Sequence, residues 1–170
     1  MITIRLASVK DAELIAEMSR QTFYDAFAAQ NTKEDMDKFM NEQFTKEKLA
    51  EQVNDNESIF LLAFSDSEPV GYARMAKSET PPELGNAKTI ELARIYSVTN
   101  AIGKGVGKAL MQKCIDTAKE SGKQILWLGV WEHNNRAIDF YTRWGFEKFG
   151  SHPFVLGDDH QTDWLMKKIL

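Results

Sequence analysis

Thr89-Ile90-Glu91-Leu92-Ala93-Arg94-Ile95-Tyr96-Ser97-Val98 leads, after a short polar break, into Gly103-Lys104-Gly105-Val106-Gly107-Lys108 and a helical pattern that runs to Ser121, with Gly122 as its C-cap. The stretch reads as strand, glycine turn, helix. Glycines at alternate positions allow a tight turn whose N–H groups face one point, and the positive end of the following helix aims at the same point. The arrangement is suited to holding a phosphate, although a glycine turn that merely caps a helix is the plainer reading of the same residues.

Spacing narrows the phosphate. A Walker A loop needs glycine at position 102 and Ser or Thr at 109, where the chain has Ile102 and Ala109. The dinucleotide pattern G-x-G-x-x-G needs glycine at 108, which is Lys108. Neither motif fits.

Working outward, Ile125-Leu126-Trp127-Leu128 belongs to an apolar run from Gln124 to Val130, typical of a strand buried on both faces. A helix separates it from the 88–98 strand, so the two are expected to be parallel. Asn134 then caps a helix with Ala137, Phe140, Tyr141 and Trp144 on one face, and Gly145 stops it. A last hairpin is expected from Phe146–Leu156 and Gln161–Ile169, joined by residues 157–160.

Upstream, Ile2–Leu6 alternates as a half-buried strand. Ser8 with Asp11, Thr32 with Asp35, and Thr45 are helix-start signals for three helices, the first carrying Leu14, Met18, Phe23 and Phe27. Ser58–Phe64 and Val70–Ala76 form a hairpin with a five-residue connection at 65–69. Phe23, Tyr24, Phe27, Phe39 and Phe44 are dense enough to suggest a wall for an apolar or cationic ligand, Tyr24 foremost, with core packing as the alternative.

A chain of 170 residues, 43% hydrophobic, fits one domain spanning 1–170. No long apolar run or basic-then-apolar leader is present, so a cytoplasmic location with no membrane partner is expected. Cys114 shares a helix face with Leu110, Met111 and Ala118 and reads as a buried small hydrophobe. Residues 1–57 hold seven Lys/Arg against twelve Asp/Glu, an acidic balance that argues against nucleic acid and would favour a cationic small molecule or peptide, with a solvated acidic helix face as the plainer reading. His133, His152 and His160 show no metal-ligand spacing, and no G-x-S-x-G elbow is present.

The element order, the Gly105-x-Gly107 turn and the run Val130…Asn134…Ala137…Tyr141…Gly145-Phe146 together resemble the GNAT superfamily of N-acetyltransferases over nearly the whole chain. That family expects Gln or Arg where this chain has Ile102. Within it, residues 22–27, 31–36, 126–132 and 157–163 look like bacterial spermidine/spermine N-acetyltransferases. The resemblance implies a mixed α/β fold, with a largely antiparallel sheet of about seven strands, a splayed parallel central pair and flanking helices.

It also implies acetyl-CoA as cosubstrate, no metal, and a small-molecule amine as acceptor, with polyamines favoured. Protein N-termini or lysines, amino acids and antibiotic amines are alternatives, as are a non-catalytic acyl-CoA-binding regulator and a nucleotide-binding module. By the same resemblance, the N–H groups of Ile102, Gly103, Lys104, Gly105, Val106, Gly107 and Lys108 hold the pyrophosphate. Ile95, Tyr96, Ser97 and Val98 pair with the pantetheine arm, while Asn134 and Arg136 assist. Tyr141 is the general acid, since a phenol of pKa about 10 stays protonated at neutral pH. Glu91 is the candidate base and acceptor contact, with a plain surface carboxylate as its alternative. Strand edges near the last hairpin are a candidate homodimer contact.

Overall fold

The computed structural model describes residues 1–170. Its strands are β1 (Ile2–Leu6), β2 (Ser58–Ser65), β3 (Glu68–Ala76), β4 (Thr89–Ser97), β5 (Ile125–Trp131), β6 (Glu147–Leu156) and β7 (Asp159–Ile169). The helices are α1 (Ala12–Phe27), α2 (Lys33–Glu42), α3 (Lys46–Val53), α4 (Val106–Glu120) and α5 (Asn135–Arg143). The strands form one sheet in the order β1-β2-β3-β4-β5-β7-β6, and only β4 and β5 are parallel. No helix is long and apolar enough to cross a membrane.

Local chemistry sets the helix ends. Thr32 and Thr45 accept the N–H groups of Asp35 and Lys48 through their side chains, as their positions predict. At Ser8 the helix start differs: Asp11 accepts the Ser8 N–H at 2.8 Å, but Val9–Asp11 forms a single 3₁₀ turn before α1 begins. Gly122 and Gly145 close α4 and α5 with φ of +73° and +88°.

The back of the sheet packs against α4 and α5 through Leu61, Ala73, Met75, Ile90, Leu92, Leu126, Leu128 and Met166. On the front, Phe60, Leu62 and Tyr72 pack against Ile15 and Met18 of α1, and the distal end of β6 meets the aromatic cluster of α1 and α2. That cluster, Phe23, Phe27, Phe39 and Phe44 with neighbouring ring centroids 4.7–5.6 Å apart, is core. Tyr24 stands outside it, 43% exposed. Cys114 is fully buried and its thiol is pushed up to about 12 by that burial, as suits an inert hydrophobe.

Both hairpin turns are tighter than expected. β2 and β3 are joined by Asp66-Ser67, whose φ of +48° and +71° mark a two-residue turn that follows the strand twist, in place of the five-residue connection. The last hairpin turns at Gly157-Asp158, so Leu156 faces Asp159 in place of Gln161. The outer strand at that end is β6, and its edge is blunted by Pro153 and by Phe149, which the β7 register skips.

Two irregularities prepare the site. β4 and β5 are in register only from Thr89↔Ile125 to Glu91↔Trp127, so the parallel pair parts beyond those residues. Arg74 pairs with Arg94 while Met75 pairs with Leu92, which leaves Ala93 as a bulge. One extra residue reverses the alternation that follows it. Leu92 faces the back, yet Tyr96 joins Tyr72 on the front, at 6.1 Å between ring centroids.

Candidate active site

The glycine turn lies at the open end of the β4–β5 split. After Val98, Thr99–Ala101 makes a 3₁₀ turn, then Gly103 and Gly105 adopt φ of +81° and +88°, and α4 begins at Val106. Side chains rarely adopt such angles, so glycine is required for this path. The Ile102 and Lys104 N–H groups are used within the turn, reaching Thr99 O at 3.4 Å and Ala101 O at 3.2 Å. The first turn of α4 leaves the N–H groups of Val106, Gly107 and Lys108 without partners inside the helix, where they and the helix dipole favour an anion. The sequence-derived set Ile102–Lys108 therefore divides into turn-forming and outward-offering members. Ile102 is itself 40% exposed.

This helix end sits against the sheet only because Gly71 has no side chain. A Cβ there would lie 2.7 Å from both Tyr96 O and Val106 Cγ1. Behind it, Gly107 packs against Phe140 of α5, its Cβ position 3.6 Å from the ring.

The edge of β4 from Leu92 to Ser97 pairs with β3 on one side and lacks β5 on the other. An extended amide-bearing ligand can pair with it as a strand would. Ile95, Tyr96 and Ser97 lie on that open edge and Val98 directly follows it, so the strand positions expected from sequence are together. Asn134 spends Oδ1 on the Ala137 N–H at 3.2 Å, as an N-cap, and keeps its amide NH₂. Arg136 is exposed on the first turn of α5.

Tyr141 of α5 is half-buried against the back core and Phe146. Burial, with a smaller contribution from Cys114, holds its phenol above the usual range, so it stays protonated. The Tyr96 phenol is raised as well, first by burial, then by Tyr72 and Tyr141, with Asp163 adding to the effect and Arg94 opposing it. Groups from β4, α5 and β7 thus converge at the split.

Glu91 is half-buried on the front face. Burial raises its carboxyl above the ordinary range, while Ser78, Arg74, His152 and Arg94 favour its charge. Glu91 is thus partly covered and not a freely solvated surface carboxylate. Arg94 stacks over Phe44 at 5.1 Å and donates to Gln52, and Arg74 donates to Ser58. Among buried side-chain polar atoms without a protein partner are Tyr72 Oη, Arg94 Nη1 and Trp127 Nε1, all from front-facing positions. Tyr24 shares a cavity with Val98, the residue that follows the open edge of β4. That cavity, of about 680 Å³ between α1 and α2, is also lined by Leu14, Met18, Arg20 and Met40.

The segments 31–36 and 157–163 meet. Asp35 accepts the Asp158 N–H at 2.9 Å, Lys38 pairs with Asp158 at 2.6 Å, and Gln161 donates to Asn31 at 2.8 Å. Gly157 lies so close that a Cβ would be 2.5 Å from Asp35 Cα. His152 and Asp163, which the motif search passes over, face each other across β6 and β7 with Nε2 to Oδ2 at 3.5 Å.

Residues 20–146 match the model of the acetyltransferase (GNAT) family. An uncharacterized N-acetyltransferase of Lactobacillus delbrueckii subsp. lactis is 37% identical over 169 residues, 99% of this chain and 98% of that protein. A spermidine N(1)-acetyltransferase of Thermoplasma acidophilum is 26% identical, with 98% of this chain and 96% of that protein covered. The crystal structure of a PaiA N-acetyltransferase from Thermoplasma acidophilum in complex with coenzyme A superposes with a TM-score of 0.79 at 25% identity, covering 100% of this chain and 99% of that one.

Proposed function

This chain belongs to the acetyltransferase (GNAT) family, and on that premise we propose that residues 1–170 form one catalytic unit acting on a small primary amine of the polyamine class in the cytoplasm. The protein is an acetyl-CoA-dependent N-acetyltransferase. Its residues suit that cosubstrate: free N–H groups at the start of α4 could hold a pyrophosphate, and the open β4 edge could take an amide-bearing arm. When bound, acetyl-CoA supplies an activated acetyl thioester.

The chain's own residues do the rest. The N–H groups of Gly103, Gly105, Val106, Gly107 and Lys108 would hold the diphosphate, and Asn134 and Arg136 would assist as the family resemblance implies. The β4 edge around Tyr96 orients the acyl group. Tyr141, protonated by virtue of its burial, donates to the leaving sulfur. Glu91 draws the cationic acceptor to the front of the split.

The observation that carries this reading is the coincidence of a parted parallel strand pair with a glycine turn at its open end. The polyamine class is supported by the full-length likeness to a spermidine acetyltransferase and by the acidic balance of residues 1–57. The adjacent Arg74 and Arg94, the latter with an unpartnered buried Nη1, favour a second reading in which the amine also carries a carboxylate, as an amino acid does. Release of free coenzyme A thiol, measured with spermidine, spermine, amino acids, an N-terminal peptide and an aminoglycoside, decides between them. Fastest turnover with the polyamines supports the first reading; preference for the amino acids replaces it with the second; silence toward every amine points to an acyl-CoA-binding regulator.

A further inference from the structure

Beyond Glu91↔Trp127, β5 continues through Gly129, which is exposed although Leu128 and Val130 on either side are buried. Gly129 is a front-facing position, and what occupies the space above it comes from other strands. His152 reaches across β7, with Cε1 3.4 Å and Nε2 3.7 Å from where a Gly129 Cβ would be, and Asp163 Oδ2 is 3.6 Å from the same point. Nε2 faces Asp163 Oδ2 at 3.5 Å, so Nδ1 is the ring nitrogen left free. The Asp163 side chain is 17% exposed and that of His152 is 43% exposed. The pair therefore combines a covered carboxylate with an imidazole open to solvent, beside the point where the sheet has opened. Glu91 lies at the last position where β4 and β5 are still in register, and its charge is favoured by Arg74, His152 and Arg94, so it stands within electrostatic reach of the imidazole.

Resting on the acetyl-transfer reading above, we infer that His152, oriented by Asp163, takes the proton from the acceptor ammonium, leaving Glu91 as a contact for that ammonium. One N–H bond of R–NH₃⁺ breaks, its electron pair stays on nitrogen as the lone pair, and the proton binds His152 Nδ1. Asp163, with Oδ2 3.5 Å from Nε2, stabilises the imidazolium as a neighbouring negative charge. Overall, R–NH₃⁺ and the acetyl thioester give R–NH–acetyl, a thiol and one proton. That proton is the one His152 returns to solvent through its exposed face. Gly129 is part of the device, since any side chain there would occupy the space between the imidazole and the acceptor.

The test uses the fastest amine of the panel, whichever class it belongs to. His152→Ala is expected to lower kcat about a hundredfold, the lower end for a positioned base, with the KM for acetyl-CoA and for the amine changed less than about threefold. Added imidazole should restore much of the loss in His152→Ala and none in His152→Gln. Asp163→Asn should lower kcat by about tenfold. In the free protein, adding the amine should shift the His152 ring resonances in NMR spectra. Wild-type kcat in His152→Ala, or a loss that imidazole leaves unrestored in a variant that melts like the wild type, overturns the inference. A fastest amine that is not a polyamine overturns only the substrate class, because the His152 readouts are taken on that amine.

Discussion

The two sides of the β4–β5 split are built in opposite ways. The glycine-turn side, proposed above for acetyl-CoA, comes from one contiguous stretch, β4 through the first turn of α4, and offers mainly backbone N–H groups. The front side takes Arg74 from β3, Glu91 from β4, Gly129 from β5, His152 from β6 and Asp163 from β7, and offers side chains. Backbone donors depend on chain path, so that side tolerates Ile102 where the family expects Gln or Arg, provided the glycines remain. Side-chain recognition depends on identity at every position. On the proposed function, a common cosubstrate and a variable acceptor would be served by these two modes respectively.

The sharpest way to break the first side is Gly71→Val. Its Cβ would press within 2.7 Å of a backbone oxygen and of Val106, and the cost is expected to be about 3 kcal/mol, with acetyl-CoA binding lost in calorimetry. Tyr141→Phe separates chemistry from both binding sides: kcat should fall about a hundredfold while affinity for coenzyme A is retained. An unchanged kcat would remove Tyr141 from the mechanism.

Gly157→Ala strikes the front side from a distance, through the contact with α2. With φ of +63° and Asp35 Cα only 2.5 Å from the new Cβ, it should cost about 2 kcal/mol and raise the KM for the amine more than that for acetyl-CoA. Ile102→Arg sharpens the comparison by adding a side chain to a backbone site, and should tighten coenzyme A binding by about threefold, within the range of an exposed charge pair. Looser or unchanged binding would mean that residue 102 points away from the phosphates.

The smallest effect tests a control outside both sides. Asp11 is paired with Arg5 at 2.8 Å, and the guanidinium, followed by the Ser8 N–H, holds its carboxyl well below the usual carboxylate range. A depressed folded-state pKa contributes stability that is complete above the unfolded value of about 4 and fades as pH falls toward the folded value. Because Arg5 is 49% exposed, solvent screening limits this to about 1 kcal/mol or less. Asp11→Asn should therefore melt slightly below wild type at pH 7, with the gap closing in strong acid and activity unchanged.

The same contrast explains what could be read without coordinates. Strand, glycine turn and helix are local, so Thr89–Ala118 could be assigned from its residues, and the parallel pairing followed from the crossover helix. The bulge at Ala93 leaves no trace in Ile90-Glu91-Leu92-Ala93-Arg94-Ile95, where apolar residues occur on both sides of the slip. The tightness of the hairpin turns is not legible in the residues, because Asp66 and Ser67 adopt positive φ without a glycine and because Asp159 and His160 look like loop residues. The second turn decides how the front side is assembled. A connection over 157–160 would set His152 opposite Leu165, whereas the turn at Gly157-Asp158 sets it opposite Asp163. Spacing rules for metals could not flag a pair that depends on hairpin register.

The parted strands also tie folding to metabolism. From Leu92 to Ser97, β4 has a neighbour on one side only, so part of its hydrogen-bonding capacity stays with solvent until an extended ligand lies along it. A ligand that binds only the folded chain adds RT ln(1 + [L]/Kd) to its stability, about 2.7 kcal/mol at a hundredfold excess over Kd. The resistance of the folded chain to unfolding would then rise with the concentration of its own acyl donor.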